Sequence, residues 1–219
     1  MAGFRTQGPL SEELLVIEET RGVHGRHAVQ GPIGAGSGGQ HKSVTTGSTL
    51  SGWPRDITWK EFREINSRPE GEEEDAEIKV DITQPKKINI KRDHDTDELY
   101  LSSYTAKIKV TRKKSWAVKG EKTDALLAHE QVHFDIAGLA GRDMVRKLAA
   151  LRTSSADELQ AEVSTIIQKS DDEMSRISDL YDSFNETDHG RKHAAQDRWE
   201  HHIHHLIEAN LPLSPVGHG

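Results

Sequence analysis

The sequence predicts an α+β domain, an antiparallel sheet followed by three helices, behind a disordered N-terminal arm. Three observations lead there. Three runs within residues 76–116 alternate apolar and polar side chains with period two. From Thr123 onward the apolar spacing becomes helical. Residues 22–52 are rich in Gly, Ser and Thr and nearly empty of large apolar side chains, so they cannot bury enough surface to offset their ordering entropy.

These features divide the 219 residues into an arm (1–52), a folded domain (53–210) and a short tail (211–219). Within the arm a short helix is expected around residues 11–19, and His24, His27 and His41 are expected to be solvated. Order should begin near "WPRDITWKEF". Strands follow at "AEIKVDI" (76–82), "KKINIKR" (86–92) and "LYLSSYTAKIKVTRKKSW" (99–116), where Tyr104, Ala106, Ile108 and Val110 share one face. The charged stretches "RPEGEEED" and "RDHDTDE" read as turns and loops. Trp59 and Trp116 read as core anchors.

The first helix starts at Thr123, whose hydroxyl can cap it, with Asp124 at its positive end, and runs through Leu151. Ser155 and Glu158 form a capping box for the second. Its apolar stripe is Leu159, Val163, Ile166, Met174 and Ile177, ending near Leu180. "YDSFNETDHG" breaks it, and "RKHAAQDRWEHHIHHLIEAN" makes the third, with Trp199, Ile203 and Leu206 as its stripe.

Charge and composition narrow the function. A formal net charge of -7 gives no electrostatic ground for nucleic-acid binding. With no cysteine, a transition metal would rely on His, Asp, Glu and water. No basic-then-apolar leader and no run of about 20 apolar residues is visible. The expectation is a soluble chain, cytoplasmic as synthesised or exported by a route other than Sec, without a membrane partner.

The first helix carries "LLAHEQVHFDIA" (126–137). On a helix, His129 and His133 stand one turn apart on one side, so both can ligate a single Zn2+. Glu130 lies about 100° round from His129 by the helical period, suited to a general base. Asp135, about 200° round from His133, points away. For a third ligand His189, in "ETDHG" beside the flexible Gly190, stands against Glu162 on the second helix. Tyr181, His193 and Tyr104 are candidate donors to an oxyanion. His201 and His205, in "EHHIHH", have the same spacing as His129 and His133, but a solvated face is the stronger reading.

Residues from about Trp59 to Leu206 resemble the predicted bacterial zinc-dependent protease family first catalogued as domain of unknown function 922. The resemblance rests on "WKEF", "KKSW", "LLAHEQVHFDIA", Arg142, "TDHG" and Trp199, in that order. It implies a zincin-like fold and a zinc metallopeptidase with His129 and His133 as ligands and Glu130 as base. Its threonine-x-histidine-glycine element maps onto Thr187 to Gly190 and strengthens His189 as third ligand. The chain departs from the family at Val132, often Gly there, and at Gly138, often acidic. In this reading residues 99–116 are the candidate edge or near-edge strand on which a peptide or protein substrate pairs, with an interior strand as the alternative. The rival expectations are a non-catalytic, metal-stabilised binding or effector module, with the arm docking to a partner, and a zinc amidase acting on cell-wall peptides.

Overall fold

The computed structural model describes residues 47–217, together with the backbone of 15–17. The remainder of the expected arm, with His24, His27 and His41, lies outside the described residues. Among the described residues nine short strands precede three helices: β1 (Leu15–Ile17), β2 (Thr49–Ser51), β3 (Arg63–Ile65), β4 (Ala76–Glu77), β5 (Val80–Thr83), β6 (Ile88–Arg92), β7 (Leu99–Ser103), β8 (Thr105–Val110), β9 (Trp116–Val118), α1 (Asp124–Ala150), α2 (Ala156–Asp182) and α3 (His193–Glu208). The α+β class holds.

The sheet arrangement differs from the expectation. In place of one antiparallel sheet the described residues form three sheets of three strands, ordered β1-β6-β7, β2-β8-β5 and β3-β9-β4. Each is mixed: β1, β2 and β3 pair parallel with β6, β8 and β9, while β7, β5 and β4 pair antiparallel with those same central strands. Leu15–Ile17 is therefore strand where a helix was expected, and Thr49–Ser51 is strand within the stretch expected to be arm.

The long run 99–116 is also broken. At Tyr104 the chain passes from one sheet to the next, its amide donating to Ser48 Oγ at 3.1 Å and its carbonyl accepting from Thr49 at 2.9 Å. A tight turn, with Lys114 and Ser115 both donating to the Thr111 carbonyl, then separates β8 from β9. Of this run, β7 is an edge of its sheet, whereas β8 and β9 are central strands. β4 is an edge strand near α1, pairing only with β9 among the described strands.

The helices follow their sequence signals closely. Thr123 caps α1, accepting from the Leu126 amide, and Ser155 caps α2, accepting from that of Glu158. α1 packs on α2 and α3 on one side and on β2, β5, β7 and β8 on the other. It is buried all round from Val132 to Gly141. On α2, Ile167 is buried in place of the expected Ile166, beside Leu159, Val163, Met174 and Ile177. Trp199, Ile203 and Leu206 form the buried stripe of α3, and Trp116 is buried with its indole donating to Glu77.

The tail is tied down. Leu213 donates to Asp143 of α1 at 2.7 Å, and the Leu211 carbonyl accepts from Arg142. No helix among the described residues is long and apolar enough to cross a membrane.

Candidate metal centre

α1 and α2 are each 27 residues long and joined by a short link, so the start of α1 returns beside the end of α2. That brings together residues far apart in the chain. His133 Nε2 stands 2.9 Å from Asp182 Oδ1, His129 Nε2 stands 3.2 Å from the same oxygen, and the two imidazole nitrogens are 3.3 Å apart. The whole set is buried, with His129, His133 and Asp182 at 3%, 5% and 6% exposure. A tetrahedral ion with metal–ligand bonds of about 2.0–2.1 Å separates two ligand atoms by about 3.3 Å. The triangle is close to that size on every edge.

The outer nitrogens fix which atoms face inward. Gln196 donates from Nε2 to the Ala125 carbonyl at 3.3 Å and to Glu200 at 3.0 Å. Its Oε1 is thereby left facing His129 Nδ1 at 3.3 Å, so that nitrogen donates. His129 Nε2 is then a lone pair directed at the centre. His133 Nδ1 sits 2.6 Å from Ser178 Oγ, one turn before Asp182 on α2. Hydrogen bonds of this kind on the far ring nitrogen orient metal-binding histidines.

His129 Nε2 and Asp182 Oδ1 are both acceptors and repel unless a positive charge lies between them. Asp182 also sits at the negative end of α2, where a carboxylate is disfavoured. A cation relieves both, and without one the charge falls on His133. Burial alone would lower the pKa of His133, but Asp182, then Glu130 and Glu74, raise it to about 9. Burial opposes ionisation of Asp182 as well, and His133 and His129 nevertheless hold it far below the usual carboxylate range. His129 is lowered by its burial.

Glu130 is 2% exposed and accepts from the Ile78 amide at 2.8 Å, just past the β4 edge. Burial, reinforced by Glu74 and Asp182, raises its pKa to about 8 against the pull of His133. Tyr181 stacks on the His129 ring, with centroids 4.7 Å apart and planes 19° off parallel.

The other expected site residues are placed as follows. His189 does not join His129 and His133. It forms a second cluster with Glu74 and Asp182, its Nδ1 2.8 Å from Glu74 Oε1. The turn carrying it is left-handed at Asp188, His189 and Gly190, with φ of 50°, 54° and 80°. A Cβ on Gly190 would come within 3.2 Å of the His129 ring, so glycine is required there on both counts. Glu162 is exposed and lies twenty residues before Asp182 on one helix, about 30 Å away along the axis. His193 is exposed, and Tyr104 is buried in the electrostatic reach of Asp171, midway along α2. Asp135 points away, accepting from Trp53 Nε1 at 2.8 Å and Gln131 at 3.0 Å. His201 and His205 acquire no third donor among the described residues.

Sequence reasoning missed Asp182, Glu74, Ser178 and Gln196. Asp182 was assigned to the loop because the apolar stripe of α2 was read only to Leu180. Glu74 was one of several acidic residues in a charged run. The helical offset of four between Ser178 and Asp182 was visible, but nothing paired it with His133.

No curated protein and no solved structure matches the chain. Residues 56–190 match the family described as a bacterial protein of unknown function, DUF922. The match covers more than half of the chain and spans Glu74, the α1 histidines, Asp182 and Gly190. The chain belongs to the DUF922 family.

Proposed function

We propose that this protein is a zinc-dependent metallopeptidase of the zincin type, with Zn2+ held by His129, His133 and Asp182. The observation that carries the reading is the triangle of inward-facing donor atoms, 2.9–3.3 Å on its edges, beside a buried glutamate. A mixed imidazole and carboxylate set suits zinc and leaves a fourth position for water or substrate. When bound, the ion supplies Lewis acidity, lowering the pKa of a water and polarising a carbonyl. Glu130, buried beside the two histidines, would be the residue to accept a proton from a water held there and hand it to the leaving amine. Among the three expected oxyanion donors, Tyr181 is the one packed against a ligand ring. The short β4 edge, whose continuation at Ile78 binds Glu130, is where an extended peptide would add as a strand.

A second reading is a metal-stabilised binding module without catalysis. Its support is burial: His129, Glu130, His133 and Asp182 are all 6% exposed or less. Comparing the wild type with Glu130→Gln on an unstructured protein substrate separates the two. The peptidase reading expects both proteins to hold zinc and only the wild type to cleave. Equal behaviour of the two, whether both cleave or neither does, contradicts it.

A further inference from the structure

Beside the first triangle lies a second set of donors. Ligand atoms of Glu74, Asp182 and His189 all fall within 4.8 Å of one another, and Asp182 belongs to both groups. We infer that the site is dinuclear: Glu74 and His189 hold a second divalent cation, with the Asp182 carboxylate bridging it to the first. The inference rests on the first-ion reading because Asp182 is shared.

The donors are of the right kind. A carboxylate has two oxygens and can bridge two ions, and two-metal hydrolytic sites place their ions about 3.5–4 Å apart. One imidazole with two carboxylates suits Zn2+ or Mn2+. The sequence positions these side chains from separate elements, Glu74 from the loop before β4 and His189 from the turn after α2. The backbone of that turn is held in place by Thr187, Asp188 and His189, whose amides donate to the carbonyls of Tyr181, Ser183 and Asp182. Two non-glycine residues there, Asp188 and His189, sit in the disfavoured left-handed region, and the turn keeps His189 beside Glu74 despite that cost.

Charge argues the same way. Glu74 and Asp182 place two carboxylates beside His189 in one poorly solvated region, and the nearby side-chain cations are directed elsewhere. Lys79 is engaged by Glu77, and Arg191 reaches the Glu73 carbonyl and Asp188.

The two positions also differ in access. The side chains of His129, His133 and Asp182 are 4%, 6% and 8% exposed, whereas those of Glu74 and His189 are 12% and 24% exposed. The outer cation faces solvent and is the one a substrate carbonyl meets first. It should exchange faster and bind more weakly than the inner one.

The test is equilibrium dialysis of the full chain against Zn2+, with bound metal counted by mass spectrometry, for wild type, Glu74→Gln and His189→Gln. Melting curves verify that each variant is folded. Two equivalents in the wild type and one in each variant are expected. Electron paramagnetic resonance of the Mn2+-loaded wild type should show an exchange-coupled pair that either variant abolishes. One equivalent in all three proteins, or two retained by both variants, overturns the second position while leaving the first intact. No bound metal in the wild type overturns the first-ion reading as well. If one variant fails to fold, the other decides.

Discussion

Asp182 and His133 are separated by 49 positions in the chain and by 2.9 Å in space. The contact exists because a helical hairpin folds the last turn of α2 against the start of α1. It makes Asp182 the third inward-facing donor, a place that sequence reasoning had given to His189 or Glu162. Replacement should follow this geometry. Asp182→Ala should lower zinc affinity by at least two orders of magnitude, since it removes one of three protein donors. Glu162→Ala should leave affinity unchanged. Zinc titration against a competing chelator measures both, and equal effects would contradict the assignment.

Gln196 and Ser178 should matter without touching the ion. Each holds the outer nitrogen of one histidine ring, and losing such a partner costs about 10–100-fold in metal affinity. Gln196→Leu and Ser178→Ala are expected to lie in that range with the fold retained. Wild-type affinity in both would show that packing alone orients the rings.

The pH dependence of the metal-free protein follows from two buried groups. His133 is raised from 6.5 to about 9, so its stabilisation is complete below pH 6.5 and is lost as pH rises through 9. Glu130 is raised from 4.5 to about 8, so the cost of ionising it in the fold accumulates as pH climbs towards 8. Both act in the same direction. His129 is lowered and so acts only below pH 6.5. Denaturant unfolding of chelator-treated protein should therefore show lower stability at pH 9 than at pH 6.5. Zinc should stabilise more strongly at the higher pH, because binding needs His133 deprotonated. A flat profile without metal would contradict this.

Gly138 is required by a close approach. A Cβ there would lie 2.2 Å from the Trp53 indole, whose position is fixed by its bond to Asp135. Gly138→Ala is expected to destabilise by about 1–3 kcal/mol, and Trp53→Ala should remove most of that penalty in the double variant. Additive effects in the thermodynamic cycle would show that the indole is not the obstacle.

The helices were legible because their signals are local. Thr123 and Ser155 cap within three residues, and the histidine pair repeats at one helical turn. The sheets were not, because strands of two to six residues carry little period and the parallel partners sit far away in sequence: Thr49 pairs with Thr105, and Arg63 with Trp116. The first half of the site was visible for the same reason that α1 was. Asp182 and Glu74 were not, since nothing in "YDSFNETDHG" or "RPEGEEED" distinguishes one acidic residue from its neighbours until the hairpin closes.

The central claim is that one ion is held by His129, His133 and Asp182. An anomalous-difference map at the zinc absorption edge, from crystals grown with zinc, tests it most directly. The expected result is a peak bonded to Nε2 of both histidines and to a carboxylate oxygen of Asp182. A map with no peak between the two imidazoles, or with a peak there that Asp182 does not touch, would contradict the account.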